Sequence, residues 1–166
     1  GTPTALPADQ LEYLLKELTK PLDLSQMEEL TIEANPGDLD PDKIAVLKDS
    51  PVNRVSLGVQ TFDNRLLKKI GRSHQDIYDN IDRLKLAGFD NISIDLIYAL
   101  PTQTMDQVKE NVAKALALDI PHMSLYSLIL ENHTVFMNRM RRGKLPLPRS
   151  EEHTSELQSQ FRISYA

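Results

Sequence analysis

The sequence contains no cysteine at all. This absence excludes disulfide bonds, thiolate metal sites and a cysteine nucleophile within the 166 residues. No apolar run approaches the length that would span a membrane, so we do not expect an integral membrane protein. The first residues have neither a basic start nor an apolar core, which argues against a signal peptide and predicts a cytoplasmic location.

Several chemical signatures are also missing. The sequence has no glycine-rich phosphate loop and no Ser-His-Asp arrangement, and its 4 histidines do not show metal-ligand spacing. The net charge of -5 argues against a nucleic-acid partner. A content of 40% hydrophobic and 26% charged residues is ordinary for a globular domain with a real core.

The sequence does contain an alternation of helix and strand patterns. Predicted helices begin near Pro7, Asp40, Asp63, Ser73 and Thr104, and predicted strands cover residues 29–34, 52–61, 91–100 and 122–130. Most of the helix starts carry a residue that is typical of an N-cap or a capping box. Strands that alternate with helices predict right-handed crossovers and a parallel sheet.

The two faces of each predicted strand differ in character. One face is apolar, and the other holds small or polar residues such as Ser56, Gln60, Ser93 and Asp95. An open sheet covered by helices on both sides would be apolar on both faces. We therefore predict a barrel whose inner wall is polar at its upper end, rather than an open doubly wound sheet or a solvent-facing sheet.

Three polar residues lie at the carboxyl ends of successive strands, where barrels of this kind place their ligand sites: Glu33, Gln60 and Asp95. Buried carboxylates need donors nearby, which a ligand, an arginine or backbone amides could supply. Arg72 follows a short helix and suits a ligand carboxylate. Each residue taken alone fits a structural role equally well, as a surface arginine, a loop cap or a satisfied amide. Their matching positions favour a binding site without naming its ligand.

Five segments, taken together, resemble one known family. They are Gly-Thr-Pro-Thr at residues 1–4, Ile-Glu-Ala-Asn-Pro-Gly at 32–37, Leu-Gly-Val-Gln-Thr-Phe at 57–62, Ile-Gly-Arg at 70–72 and Ile-Asp-Leu-Ile-Tyr-Ala-Leu-Pro at 94–101. In this order and spacing they resemble the oxygen-independent coproporphyrinogen oxidase family of radical S-adenosylmethionine (SAM) proteins. The motif at residues 33–37 resembles the haem chaperone branch of that family. The resemblance covers residues 1–148.

The resemblance implies a fold and a set of ligand contacts. The fold would be a partial (β/α)6 barrel that binds SAM and one 4Fe-4S cluster. On the family pattern, Gln60 and Asp95 hold ribose hydroxyls and Arg72 binds a SAM carboxylate. The remaining family positions that contact SAM fall on Gly1, Thr2, Glu33 and Ile129.

The resemblance also implies two alternative functions. As a haem chaperone, the parent protein would bind haem, the cluster and SAM, and would deliver haem to respiratory-chain acceptor proteins. As an oxygen-independent coproporphyrinogen III dehydrogenase, it would convert propionate side chains of a porphyrinogen to vinyl groups by radical oxidative decarboxylation. The motif at residues 33–37 favours the chaperone.

Two departures from the family pattern lead to further expectations. The family's CxxxCxxC motif and most of its first two strands are missing, so we expect a barrel truncated at both ends that is itself inactive. The run from Arg149 to Ser159 resembles a translated sequencing adapter, so we interpret residues 149–166 as an artefactual tail rather than a natural acidic helix.

Overall fold

The computed structural model describes residues 2–72 and 77–128. Two compact units divide the chain. The first comprises Gly1–Gln60, Gln75–Leu96 and Ala115–Ser124, and the second comprises Thr61–His74, Ile97–Lys114 and Leu125–Ala166. Ile129, the helix start predicted at Ser73 and the tail from residue 149 lie outside the described residues, as does Gly1.

Five helices and four strands alternate along the described part of the chain. The helices are α1 (Ala8–Thr19), α2 (Pro41–Lys48), α3 (Asn64–Lys69), α4 (Ile77–Leu86) and α5 (Met105–Leu116), and the strands are β1 (Thr31–Ala34), β2 (Arg54–Gln60), β3 (Ile92–Tyr98) and β4 (His122–Ser127). They form one sheet in the order β1-β2-β3-β4, in which β1 and β2 as well as β2 and β3 pair in parallel. The predicted parallel α/β arrangement is therefore confirmed.

Three of the four predicted helix starts in the described residues carry side-chain caps, and only Pro7 begins its helix without one. The Asp40 carboxylate accepts from the Lys43 backbone N–H at 2.8 Å. At α5 the capping box is reciprocal, because the Thr104 N–H donates to Gln107 Oε1 at 2.8 Å and the Gln107 N–H donates to Thr104 Oγ1 at 3.3 Å. These bonds satisfy N–H groups that have no partner within the helix.

The first strand is shorter than predicted at its start. The Leu30 N–H donates to the Asn53 side chain at 2.8 Å, and the Leu30 carbonyl accepts from the Asn53 N–H at 3.1 Å. Since a side chain takes the N–H of Leu30, the regular ladder begins only at Thr31. The sequence pattern detected the apolar alternation but not this side-chain competition.

The sheet in the first unit has one fully apolar face. The buried apolar strand residues are Ile32, Ala34, Val55, Leu57, Val59, Ile92, Ile94 and Leu96. Helices α1, α2 and α4 contribute buried residues of the same unit, namely Leu11, Leu15, Ile44, Leu47, Ile77, Ile81 and Leu84. The predicted division into an apolar and a polar face is therefore confirmed for β1, β2 and β3, whose apolar faces lie in the core, whereas β4 has no buried residue.

A buried polar cluster organises the second unit. Asn111 of α5 accepts from the Phe62 N–H at 2.8 Å and exchanges hydrogen bonds with Thr61. Asp63 caps α3 by accepting from the Arg65 N–H at 2.8 Å, and it also accepts from Gln107 at 3.0 Å. These contacts satisfy the backbone that follows β2, so we interpret the cluster as structural.

Candidate functional site

The polar face of the sheet in the first unit brings together several side chains that the sequence placed there. The register pairs Glu33 with Ser56 and Ser56 with Ser93. Because parallel neighbours lie about 4.8 Å apart, side chains paired in this way are close to one another on the same face. The predicted candidates Glu33, Gln60 and Asp95 all belong to this unit.

Asp95 is half-buried on β3 and has a protein donor. The Ser56 hydroxyl donates to Asp95 Oδ2 at 3.1 Å. The expectation that this carboxylate needs a donor is confirmed, and the donor is a neighbouring serine rather than an arginine. The other carboxylate oxygen, Oδ1, receives no hydrogen bond from any residue within 2–72 and 77–128.

Gln60 ends β2 in an unusual backbone conformation. Its φ angle is 67°, in the left-handed region that non-glycine residues seldom occupy, and the pairing with β3 is irregular between Leu57 and Gln60. A Cβ atom on Gly58 would lie 2.9 Å from Gln60 Nε2 and 3.3 Å from Asn35 Oδ1. The glycine therefore makes room for the Gln60 amide to fold back over the polar face, between the ends of β1 and β2.

Glu33 differs from the expectation of a buried carboxylate, because its side chain is exposed. Water solvates it, so it does not require a protein donor. Its backbone carbonyl accepts from the Thr4 hydroxyl at 3.2 Å, and Lys43 donates to the Thr4 carbonyl at 3.0 Å. These bonds hold the 3-10 turn Pro3–Ala5, with Thr2 as its N-cap residue, beside β1. Thr2 and Glu33 are thus positioned by one set of contacts.

Arg72 belongs to the second unit, where it follows α3. Its backbone N–H donates to the Leu67 carbonyl at 2.9 Å and closes the end of the helix, and its side chain is exposed. The structure thus gathers Thr2, Glu33, Gln60 and Asp95 in the first unit and places Arg72 in the other.

A row of polar residues beneath Asp95 was not predicted to be functional. Arg54 donates to Ser93 at 3.3 Å, Ser93 donates to Ser56 at 3.0 Å, and Arg54 also donates to Glu29 at 3.0 Å. Hydrogen bonds from Thr31 and then from Arg54 lower the pKa of Glu29 below its ordinary value. The signal available in the sequence was the period-two placement of serines on the face that carries Asp95.

Among residues 2–72 and 77–128, no group of three or more His, Cys, Asp or Glu side chains could hold a metal ion. Within the same ranges, every helix is too short or too polar to cross a membrane.

Comparison with known proteins identifies relatives of the chain. The family model of the Radical SAM superfamily matches residues 1–115. The chain is 62% identical over 159 residues to the heme chaperone HemW of Lactococcus lactis subsp. lactis (strain IL1403), covering 95% of this chain and 42% of that protein. It is 45% identical over 155 residues to HemW of Bacillus subtilis (strain 168), covering 92% of this chain and 41% of that protein. The chain thus spans about two fifths of the length of these relatives.

A solved structure also resembles the chain. Coproporphyrinogen III oxidase (HemN) from Escherichia coli, described as a radical SAM enzyme, matches with a TM-score of 0.78 and 26% sequence identity. The match covers 96% of this chain and 38% of that one. Both the sequence and the fold comparisons therefore support the resemblance found from the five motifs.

Proposed function

This chain belongs to the radical SAM superfamily, and we propose that it is part of a haem chaperone of the HemW type that binds SAM over the polar face of its parallel sheet. The observation that carries SAM binding is the placement of the Gln60 amide, at the end of β2, and the Asp95 carboxylate, at the centre of the adjacent β3, on one polar face. The identity of 62% to a HemW protein across 95% of the chain carries the choice of the chaperone branch.

The polar groups fit the chemistry of SAM, which carries an ammonium, a carboxylate and two ribose hydroxyls. A half-buried carboxylate such as that of Asp95 accepts hydrogen bonds from hydroxyls, and the Gln60 amide both donates and accepts. Glu33 offers a negative charge for the ammonium. Arg72 is assigned to the SAM carboxylate on the family pattern alone, since guanidinium binds carboxylate in a bidentate manner.

Three further assignments rest on the family pattern. Thr2 and Gly1 belong to the turn that contacts the methionyl part of SAM, and Thr2 is the N-cap residue of the turn beside β1. Ile129 contacts the ligand beside the adenine through its backbone. Gly1 and Ile129 lie outside the described residues, so their assignment has no support from the geometry.

The 4Fe-4S cluster does not fit the residues of this chain. Cluster iron is held by cysteine thiolates, and the sequence contains no cysteine. In a protein that contains both this chain and a cluster, the ligands come from outside the 166 residues. The present residues therefore bind and orient SAM, but they do not perform redox chemistry by themselves.

In the proposed function, the parent protein binds haem in the cytoplasm and delivers it to respiratory-chain proteins. A second candidate is the dehydrogenation of coproporphyrinogen III, in which propionates lose carbon dioxide and become vinyl groups. The observation in its favour is the structural match to coproporphyrinogen III oxidase, with a TM-score of 0.78. The lower identity of 26% in that match, against 62% and 45% to two HemW proteins, favours the chaperone.

The experiment uses the full-length protein, reconstituted with iron and sulfide under anaerobic conditions. Haem binding is titrated by absorption spectroscopy, and coproporphyrinogen III turnover is assayed in parallel with SAM and a reductant. We expect haem binding without decarboxylation. Formation of protoporphyrinogen would show that the second candidate, the dehydrogenase, is the correct function. The absence of both haem binding and turnover would overturn both candidates.

A further inference from the structure

A chain of hydrogen bonds crosses the polar face of the first unit and ends on Asp95. Arg54 Nη2 donates to Ser93 Oγ at 3.3 Å, Ser93 Oγ donates to Ser56 Oγ at 3.0 Å, and Ser56 Oγ donates to Asp95 Oδ2 at 3.1 Å. The chain links three residues on two adjacent strands to the carboxylate. All four residues belong to the same compact unit.

The chemistry of the two ends fixes the direction of the hydroxyl protons between them. A guanidinium can only donate hydrogen bonds, and an ionised carboxylate can only accept them. Ser56 must therefore direct its proton to Asp95, which leaves its oxygen to accept from Ser93. Ser93 in turn directs its proton to Ser56 and accepts from Arg54. Both serine hydroxyls thus have a single orientation while Asp95 is ionised.

Burial makes this arrangement hard to change. Ser93 is completely buried, and Arg54, Ser56 and Asp95 are half-buried. A buried hydroxyl without a hydrogen-bond partner destabilises the folded protein, so the serines stay in their bonded orientations. At its other end, Arg54 is held by Glu29, the two forming an ion pair at 3.0 Å.

We propose that Ser56 is a positioning residue that holds Oδ2 of Asp95 and thereby presents Oδ1 to the ribose hydroxyls of SAM. Ser93 and Arg54 act through Ser56 by fixing its hydroxyl. This inference rests on the proposed binding of SAM, and it adds residues that touch the carboxylate but not the ligand. A carboxylate held at one oxygen is pre-organised, so less conformational entropy is lost when the ligand binds.

The test measures SAM dissociation constants on the full-length, anaerobically reconstituted protein, using SAM and its 2′-deoxyribose analogue. Ser56→Ala should raise the dissociation constant for SAM about tenfold, because the freed Asp95 carboxylate must be ordered each time the ligand binds. Ser56→Thr keeps the hydroxyl oxygen and should stay within about twofold of the wild-type value. Ser93 lies one hydrogen bond further from Asp95, so Ser93→Ala should raise the dissociation constant for SAM only about threefold.

The analogue separates positioning from a general structural effect. Removing the ribose hydroxyl should weaken binding about tenfold in the wild type but only about twofold in Ser56→Ala, because an unheld Asp95 gains less from that hydroxyl. Ser50→Ala is the matched control. It removes a hydroxyl of the same unit that donates to the Leu47 carbonyl at 2.7 Å, and it should alter stability without changing the ratio between the two ligands.

Two failures are distinguishable. If the wild-type protein did not bind SAM, the proposed function would be wrong. If the wild-type protein bound SAM but Ser56→Ala showed the same ratio between SAM and its analogue as the wild type, the positioning role alone would be wrong. A Ser56→Thr variant as weak as Ser56→Ala would also overturn the role of the hydroxyl.

Discussion

The two compact units use buried polar residues in different ways. In the second unit, Asn111 and Thr61 satisfy each other and the Phe62 N–H, so the cluster is closed. In the first unit, the hydrogen bonds from Arg54 end on a carboxylate to whose Oδ1 no described residue donates. A closed cluster holds a backbone segment in place. A cluster that ends in a directed acceptor is arranged to receive a further donor, which is the property expected of a binding site.

The largest effect is expected from breaking the closed cluster. Replacing Asn111 with leucine removes the oxygen that accepts from the Phe62 N–H and from the Thr61 hydroxyl. We expect the free energy of unfolding to fall by about 3 kcal/mol in urea titrations of the full-length protein. The SAM dissociation constant should change by less than about threefold. If Asn111→Leu kept its stability but no longer bound SAM, the purely structural role of the Asn111 cluster would be contradicted.

The next largest effect is expected from Asp95→Asn, which keeps the shape of the side chain but removes its charge. Hydrogen bonds to a charged group contribute about 1.5–3 kcal/mol, so SAM binding should weaken about 30-fold. Stability should change little, since Ser56 still finds an oxygen acceptor. Isothermal titration calorimetry measures the affinity, and thermal unfolding provides the control.

In Gln60→Gly, the stability of the protein and its affinity for SAM should change in opposite directions. Glycine adopts a φ of 67° without strain, so the variant should be more stable by about 0.5–1 kcal/mol. The loss of the amide should weaken SAM binding about tenfold. If the variant gained stability and bound SAM as well as the wild type, Gln60 would be only a bulge residue.

The smallest effect concerns pH and the second unit. A hydrogen bond from the Arg65 side chain, together with backbone N–H groups, lowers the pKa of Asp63 below its ordinary value. A lowered pKa in the folded state adds stability above the pKa of the unfolded state, near pH 4, and this stability is lost as the pH falls further. Because the pair of Asp63 and Arg65 is partly solvated, we expect this contribution to the free energy of unfolding to be about 0.5 kcal/mol. Asp63→Asn should remove this part of the acid sensitivity in urea titrations at pH 7 and pH 3. If the free energy of unfolding fell by the same amount between pH 7 and pH 3 in Asp63→Asn and in the wild type, this role of Asp63 would be contradicted.

Much of the fold could be predicted because it rests on local rules. The alternation of Val55, Leu57 and Val59 with polar residues identified both a strand and its buried face, and the capping box of Thr104 and Gln107 identified a helix start. These signals lie within a few residues of one another. The start of β1 was misplaced because Asn53, far away in sequence, takes the N–H of Leu30.

The site was predicted in part. The predicted strand ends identified Gln60, which ends β2, whereas Asp95 was expected near the end of its strand and lies at the centre of β3. The positive φ of Gln60, its approach to Gly58 and the exposure of Glu33 depend on how neighbouring strands pack, which no local pattern encodes. For the same reason, the donor to Asp95 was expected in general terms but was not identified as Ser56.

The central claim is that the polar face of the first unit binds SAM, whereas the cluster of the second unit is structural. The most direct measurement compares SAM affinity for the full-length, anaerobically reconstituted protein and its Asp95→Asn and Asn111→Leu variants by isothermal titration calorimetry. We predict a loss of about 30-fold for Asp95→Asn and less than about threefold for Asn111→Leu. Equal affinity of Asp95→Asn and the wild type would contradict the claim.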